Sequence, residues 1–227
     1  MLLLKKRGTT MITFKDILEN EEIKTYIQQA DESLIALGYT EHSFAHVMKV
    51  ANDAAYILKK LNYSQHDIEL AQIAGYMHDI GNLVNRIDHS QSGAIMAFRI
   101  LDHMNMNPKD IALIVSAIGN HDEGTGVAVN HIAAALILAD KSDVRRSRVR
   151  NQSQNNFDIH DRVNFSVEKS SLEIIDGEII LNLKIDISIS PVLEYFEIFL
   201  NRMIMCKNAA EKLNLRFRLK INDQQLM

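Results

Sequence analysis

Residues 68–82 read IELAQIAGYMHDIGN, and this stretch decides the fold. It is an apolar helical run, opened where Ser64 is followed three residues later by Asp67 and closed by Gly81. An adjacent imidazole and carboxylate, His78 and Asp79, therefore fall on its last turn. Similar endings recur along the chain. His46 lies in EHSFAHVMKVA (41–51), His89 heads HSQSGAIMAFRIL (89–101), His121 closes IALIVSAIGNHDE (111–123), and Asp140 lies in HIAAALILADKSD (131–143). Each sits at or near the end of a predicted helix.

Outward from that run, Thr13 with Asp16 resembles a capping box, and Ile23, Ile27, Ala30, Leu34 and Leu37 recur at helical spacing until Gly38. A second helix is predicted over 41–61, with Val47, Val50, Ala51, Ala54, Leu58 and Leu61 on the core face and His42 one turn before His46. A fourth covers 91–103. A fifth opens at Asn107-Pro108, where proline suits the first helical position, and its stripe Ile111, Ile114, Val115, Ile118 continues to His121, whose imidazole should point inward. The sixth, 131–143, repeats this pattern with Ile132, Leu136 and Ala139, and Asp140 follows Leu136 by four residues on the same face.

The pattern changes after Arg150, where NQSQNN (151–156) contains no apolar residue. This divides the chain into a helical domain, 1–150, and a tail, 151–227. In the tail, Val163, Phe165 and Val167 alternate as in a strand, and Leu172–Ile175 leads into Asp176-Gly177, a hairpin signal between two alternating runs. The second run extends from Ile179 to Ile189. Ser190-Pro191 opens a helix ending near Asn214, and Phe217, Leu219 and Ile221 suggest a last strand. The fold class is mainly α: a helical core with a C-terminal α+β subdomain of hairpin, helix and strand. The apolar tail elements either cover that core or form a homodimer surface.

A chain of 227 residues suffices for one sizeable core, or for a core with a smaller subdomain. The net charge of −4 gives no global bias toward nucleic acid or an anionic membrane. Arg216, Arg218 and Lys220 read as a solvated strand face, because no aromatic residues interleave on that face as stacking platforms. The single cysteine, Cys206, excludes an internal disulfide, fits a reducing compartment and reads as a small core hydrophobe. The start, MLLLKKRGTT, has its leucines before its basic residues, the reverse of a secretory signal, and no run approaches a membrane span. These features describe a soluble cytoplasmic protein without a membrane or nucleic-acid partner.

An inward-facing imidazole or carboxylate is costly unless it has a partner. His46, His78, Asp79 and Asp140 come from three helix ends, and a divalent cation between them removes that cost for all four. The mixed nitrogen and oxygen donor set suits Mn, Fe, Co, Ni or Zn, and excludes a thiolate site.

In these residues and their contexts the chain resembles the HD-domain superfamily of metal-dependent phosphohydrolases, whose signature is a histidine, then His-Asp, then a later aspartate. EHSFAHVMKVA is similar to the family's first-histidine helix, GYMHDIGN to its His-Asp helix and ILADKSD to its closing aspartate, together covering about residues 40–145. The resemblance implies that His46, His78, Asp79 and Asp140 are metal ligands. HSQSGAIMAFRIL and GNHDE are similar to regions that supply further histidines, so His89 and His121 would hold a second ion with Asp79 bridging; alternatively they bind the substrate phosphate beside a single metal. The implied cofactors are one or two divalent ions (Mn, Fe, Co, Ni, Zn or Mg). The implied activity is hydrolysis of a phosphate ester or anhydride on a small, nucleotide-like substrate, with Asp79, His89 and His121 at the catalytic centre. The alternative is a metal-bound nucleotide sensor with little turnover.

The chain departs from the family pattern at Asn82, where many catalytic relatives carry lysine. Arg86 either substitutes for that cation or is a solvated surface arginine, the plainer reading. The chain also lacks the Gly-Tyr-Pro run of cyclic-dinucleotide phosphodiesterases and the acidic extension of alarmone hydrolases. In KSDVRRSRVR (141–150), Lys141, Arg145, Arg146 and Arg148 follow Asp140 directly, and their charges either clamp a substrate phosphate or cap a solvated helix end. His42 and Asp143 read as supports of the ligand shell. His66, His103, His131 and His160 read as structural.

Overall fold

Capping side chains mark most of the α-helix starts among the described residues. The computed structural model describes residues 12–151 and 156–226; the basic amino-terminal run and most of the polar stretch 151–156 lie outside the described residues. Thr13 and Asp16 form the reciprocal cap of α1 (Phe14–Glu19). Asn20 then leaves helical backbone and caps α2 (Glu21–Ala36), its Oδ1 accepting from the Ile23 N–H at 3.1 Å. The one amphipathic helix expected here is therefore two.

Ser43 caps α3 (Phe44–Lys60), so His42 precedes the helix instead of lying one turn before His46 within it. The buried face of α3 includes Val47, Val50, Ala51, Ala54 and Leu58, and it packs on α4 (Gln65–Met77), which starts at the cap Ser64. Helix α4 stops at His78, and a 3-10 turn over Ile80–Leu83 follows. Next come α5 (His89–His103), α6 (Pro108–Gly119) with Pro108 in its first turn, and α7 (His131–Lys141). Every residue of α7 from Ile132 to Lys141 is buried, which accounts for its being apolar all round.

In the tail, α8 (Ile159–Ser166) occupies the segment where the alternation of Val163, Phe165 and Val167 predicts a strand. Asp158 accounts for the difference, because its carboxylate accepts from the Asp161 N–H at 2.8 Å and starts a helix. Strands β1 (Val167–Ile175) and β2 (Glu178–Ile185) form the expected hairpin, with Asp176 at φ 49° and Gly177 at φ 77° in its turn. The strand ends at Ile185, and Ile187, read as its continuation, is exposed in a turn. After α9 (Val192–Lys212), β3 (Arg216–Ile221) returns parallel to β2, and β4 (Gln224–Gln225) pairs antiparallel at the edge. A parallel neighbour requires a crossover, and α9 supplies it. Helix α9 packs on α7, and its Tyr195, Phe199, Met203 and Cys206 join one hydrophobic cluster with the helical core. The tail thus covers that core. Among the described residues no helix is long and apolar enough to cross a membrane.

One close approach sets where α5 begins. A Cβ on Gly81 would stand 1.9 Å from the His89 carbonyl oxygen and 2.4 Å from the Gly93 nitrogen. Both are backbone atoms, so no side-chain rotation relieves the clash. Gly81→Ala is expected to push α5 outward at a cost on the order of 1–3 kcal/mol, lowering the urea unfolding midpoint; an unchanged midpoint would refute the close contact.

Candidate metal centre

His46, His78, Asp79, His89, His121 and Asp140 are all buried and converge from α3, the end of α4, the start of α5, the end of α6 and the end of α7. The histidines are oriented through Nδ1. That of His78 donates to the Gly75 carbonyl at 2.8 Å, that of His121 to Ile118 at 2.6 Å, and that of His89 to Arg86 at 3.1 Å. Each acceptor is three residues upstream, and for His78 it is a last-turn carbonyl of α4. His46 donates instead to the Asp143 carboxylate at 2.7 Å. A carbonyl only accepts, so Nδ1 carries a proton, and Nε2 is left turned to the shared centre, where a cation would take its lone pair.

Two pairs of imidazoles thereby flank Asp79. Its Oδ2 is 3.5 Å from His46 Nε2 and 3.2 Å from His78 Nε2. Asp140 Oδ1 is 3.4 Å and 3.6 Å from the same two nitrogens. On the other side, Asp79 Oδ1 is 3.5 Å from His89 Nε2 and 3.9 Å from His121 Nε2, and those nitrogens are 3.1 Å apart. Among the described residues, His46 Nε2 and His78 Nε2 have no hydrogen-bond partner despite complete burial. Donors bound to one cation at about 2.0–2.2 Å stand roughly 3.0–3.6 Å from one another, and the separations of 3.2–3.6 Å between the His46 and His78 nitrogens and the Asp79 and Asp140 oxygens match that spacing. The residues therefore fit a divalent ion, and two overlapping groups, His46–His78–Asp140 and His78–Asp79–His121, have ligating atoms close enough to hold one.

Neighbouring groups hold both carboxylates. The Lys141 ammonium donates to Asp140 Oδ2 at 2.6 Å, and the Asn82 amide donates to Asp79 Oδ1 at 3.0 Å and to the Asp79 carbonyl at 2.9 Å. Burial opposes ionisation of both, but the imidazoles beside them, with Lys141 for Asp140, keep their pKa values well below the carboxylate range. For His78, burial favours the neutral ring, and the carboxylates of Asp79 and Asp140 outweigh it, lifting the imidazole to about 10. His46 is raised by the same competition. His121 goes the other way: burial, then the charges of His78 and Lys141, push it down to about 3. Burial also lowers His89 and His42.

A cavity of about 300 Å³ opens over Asp79, His89, His121 and Asp140. Lys141 and Arg148 line it; Arg145 and Arg146 do not. Arg145 is turned to Asp143 and Glu41, each at 2.9 Å. Arg146 donates to the Phe165 carbonyl at 2.6 Å and lies 4.7 Å from that ring's centre. Arg86, read as solvated, lines the cavity and donates to Asn82 Oδ1 at 3.3 Å. His42 also lines it, with Nδ1 on the Thr40 carbonyl at 2.7 Å. Sequence reasoning missed Glu123, Phe199 and Arg202, and took His160 as structural, yet all four are in the wall. Only Glu123 carried a signal, as the neighbour of His121 in GNHDE; Phe199 and Arg202 sit in an ordinary amphipathic helix.

Compared with known proteins, residues 43–163, more than half of the chain, match the HD domain. An uncharacterized protein of Methanocaldococcus jannaschii is 24% identical over 196 residues, covering 76% of this chain and 74% of its own. The crystal structure of a predicted HD superfamily hydrolase from an uncultured Thermotogales bacterium is 22% identical, with a TM-score of 0.44, covering 59% of this chain and 75% of its own.

Two outcomes are expected. Asp143→Asn weakens the acceptor that orients His46 and should lower affinity for Mn(II) by about 10- to 100-fold, read by metal titration; unaltered affinity would remove Asp143 from the centre. Because His78 is protonated up to about pH 10 without a cation, an incoming ion must displace that proton. Affinity should therefore rise from neutral pH toward 10, and calorimetry at pH 7 in buffers of different ionisation enthalpy should register proton release. Buffer-independent heats would contradict this.

Proposed function

The chain belongs to the HD-domain family, and from that premise we propose that it is a metal-dependent phosphohydrolase acting on a small phosphate ester or anhydride, nucleotide-like in size. One observation carries the reading: the two oxygens of Asp79 each face a pair of imidazole nitrogens, directly beneath a cavity lined by Arg86, Lys141 and Arg148. In it, His46, His78, Asp79 and Asp140 would hold one divalent ion, and His89 and His121, beside the other oxygen of Asp79, would serve a second. Such ions lower the pKa of a water toward neutrality and polarise a phosphoryl oxygen.

The chain's own groups do the rest. Asp79, fixed by Asn82, supplies the shared carboxylate at the reacting end of the cavity. Arg86 brings a guanidinium to that end through its contact with Asn82, so the cation missing at position 82 is offered from one turn further on. Lys141 adds a positive charge beside Asp140, and the buried Arg148 adds its field to a site where water screens little. His42, with Nδ1 committed to Thr40, presents an unprotonated Nε2 that can accept a hydrogen bond from a substrate hydroxyl. The cavity lies at the small end of ligand sites, which favours a single small molecule over a polymer. Arg145 and Arg146 act as supports in this account. The absent lysine slightly favours a sensor, and Arg86 in the wall offsets that point.

Phosphate release should be measured over nucleotides and simple phosphate esters with added Mn, Fe, Co or Ni. Asp79→Ala is expected to lose nearly all metal and activity while keeping its helical circular dichroism. His89→Ala and His121→Ala should each lower stoichiometry from about two ions to about one and cut turnover on the order of 10²-fold. A parent that binds ions and nucleotides but releases phosphate from none would overturn the enzyme reading in favour of the sensor.

A further inference from the structure

The tail lends the cavity a cation of a different kind from those of the helical core. Lys141 is committed to Asp140, and Arg148 spends its Nε and Nη1 on the backbone carbonyls of Glu41 and Asp143. Arg202, on α9, makes one hydrogen bond among the described residues: its Nε donates to Glu123 Oε1 at 2.8 Å. Its guanidinium carbon lies 4.1 Å from the centre of the Phe199 ring, three residues earlier on the same helix face. The Nη1 and Nη2 groups have no hydrogen-bond partner among the described residues, and the side chain is 21% exposed where it lines the cavity. One edge of the fork is thus pinned, its face is supported, and its outer edge is open.

We propose that Arg202 contacts the phosphate of the substrate, so that the tail completes the substrate pocket. The inference rests on the phosphohydrolase reading for what occupies the cavity. Charge supports it: Glu123 Oε1 lies 4.0 Å from the Lys141 ammonium as well as 2.8 Å from Arg202, so one carboxylate serves two cations. Once an ion draws on Asp140, the two cations Lys141 and Arg202 share the single carboxylate of Glu123, and this corner of the cavity favours an anion. A guanidinium with a free, preorganised edge suits phosphate oxygens better than a flexible ammonium does. A purely structural tie between α9 and the segment after α6 would satisfy more of the guanidinium than one nitrogen.

The test uses the full chain loaded with Mn(II) and inorganic phosphate as the probe, with calorimetry for affinity, Tm and Mn content for integrity, and p-nitrophenyl phosphate for turnover. Arg202→Met, which retains a side chain over Phe199, should weaken phosphate binding about 10- to 100-fold and raise KM more than it lowers kcat. Tm and Mn content should stay near the parent's. Arg202→Lys should recover part of the loss, and Glu123→Gln, which keeps an acceptor for Nε but removes a negative charge, should bind phosphate as tightly as the parent or more so. If Arg202→Met binds phosphate like the parent, or if Glu123→Gln loses as much as Arg202→Met, the pair is a strut and the proposal fails. A parent that binds no phosphate overturns it too. Turnover in the parent with an indifferent Arg202→Met would sink this inference alone; Arg202-dependent binding without turnover of any ester would sink the hydrolase reading alone.

Discussion

Everything at this centre follows from buried imidazoles whose Nε2 atoms have no hydrogen-bond partner among the described residues and therefore call for a proton or a cation. His46 and His78 spend Nδ1 on Asp143 and on the Gly75 carbonyl, which leaves two completely buried Nε2 atoms without partners. Leaving even one such group unsatisfied costs on the order of 1–3 kcal/mol. The carboxylates of Asp79 and Asp140 gather around them at 3.2–3.6 Å, and their charge favours either protonated imidazoles or a cation in their place. The rise of His78 to about 10 expresses that demand. His89 and His121 pose a related problem, since their Nε2 atoms face each other across 3.1 Å beside the other oxygen of Asp79.

The surrounding packing keeps these groups from drifting apart. Asp143 is fully buried and receives His46 on one oxygen and Arg145 on the other. Arg145 also reaches Glu41, and Arg148 donates to the Glu41 and Asp143 carbonyls, so the segment before α3 is tied to the segment after α7. Much of the basic cluster after Asp140 thus serves as an internal brace. On the opposite side, Gly81 lets the α4 ending and the α5 beginning approach closely enough for Asp79 and His89 to share a centre. The tail covers the core with α9 and contributes Phe199 and Arg202 to the wall of the same cavity.

What could be read from the sequence follows physical range. Capping pairs are local, so Thr13–Asp16, Ser64–Asp67 and Asn107-Pro108 marked helix starts where the structure has them. The inward placement of His121 and Asp140 followed from stripes that continue along α6 and α7. Asn20 was overlooked because apolar spacing continues across it although the backbone does not. The alternation of Val163, Phe165 and Val167 reads as strand, whereas the Asp158 cap makes the segment helical as α8. Long-range placement was beyond periodicity altogether: nothing in the order of residues shows that Arg202 bonds Glu123, that Arg86 turns inward, or that Arg145 and Arg146 turn away.

The central claim, that these ligands enclose a divalent cation, is tested most directly by diffraction from crystals grown with Mn(II), with data collected on both sides of its absorption edge. The account predicts an anomalous peak within bonding distance of His46 Nε2, His78 Nε2, Asp79 Oδ2 and Asp140 Oδ1. Density for a water there, with no anomalous signal at saturating Mn(II), would contradict it.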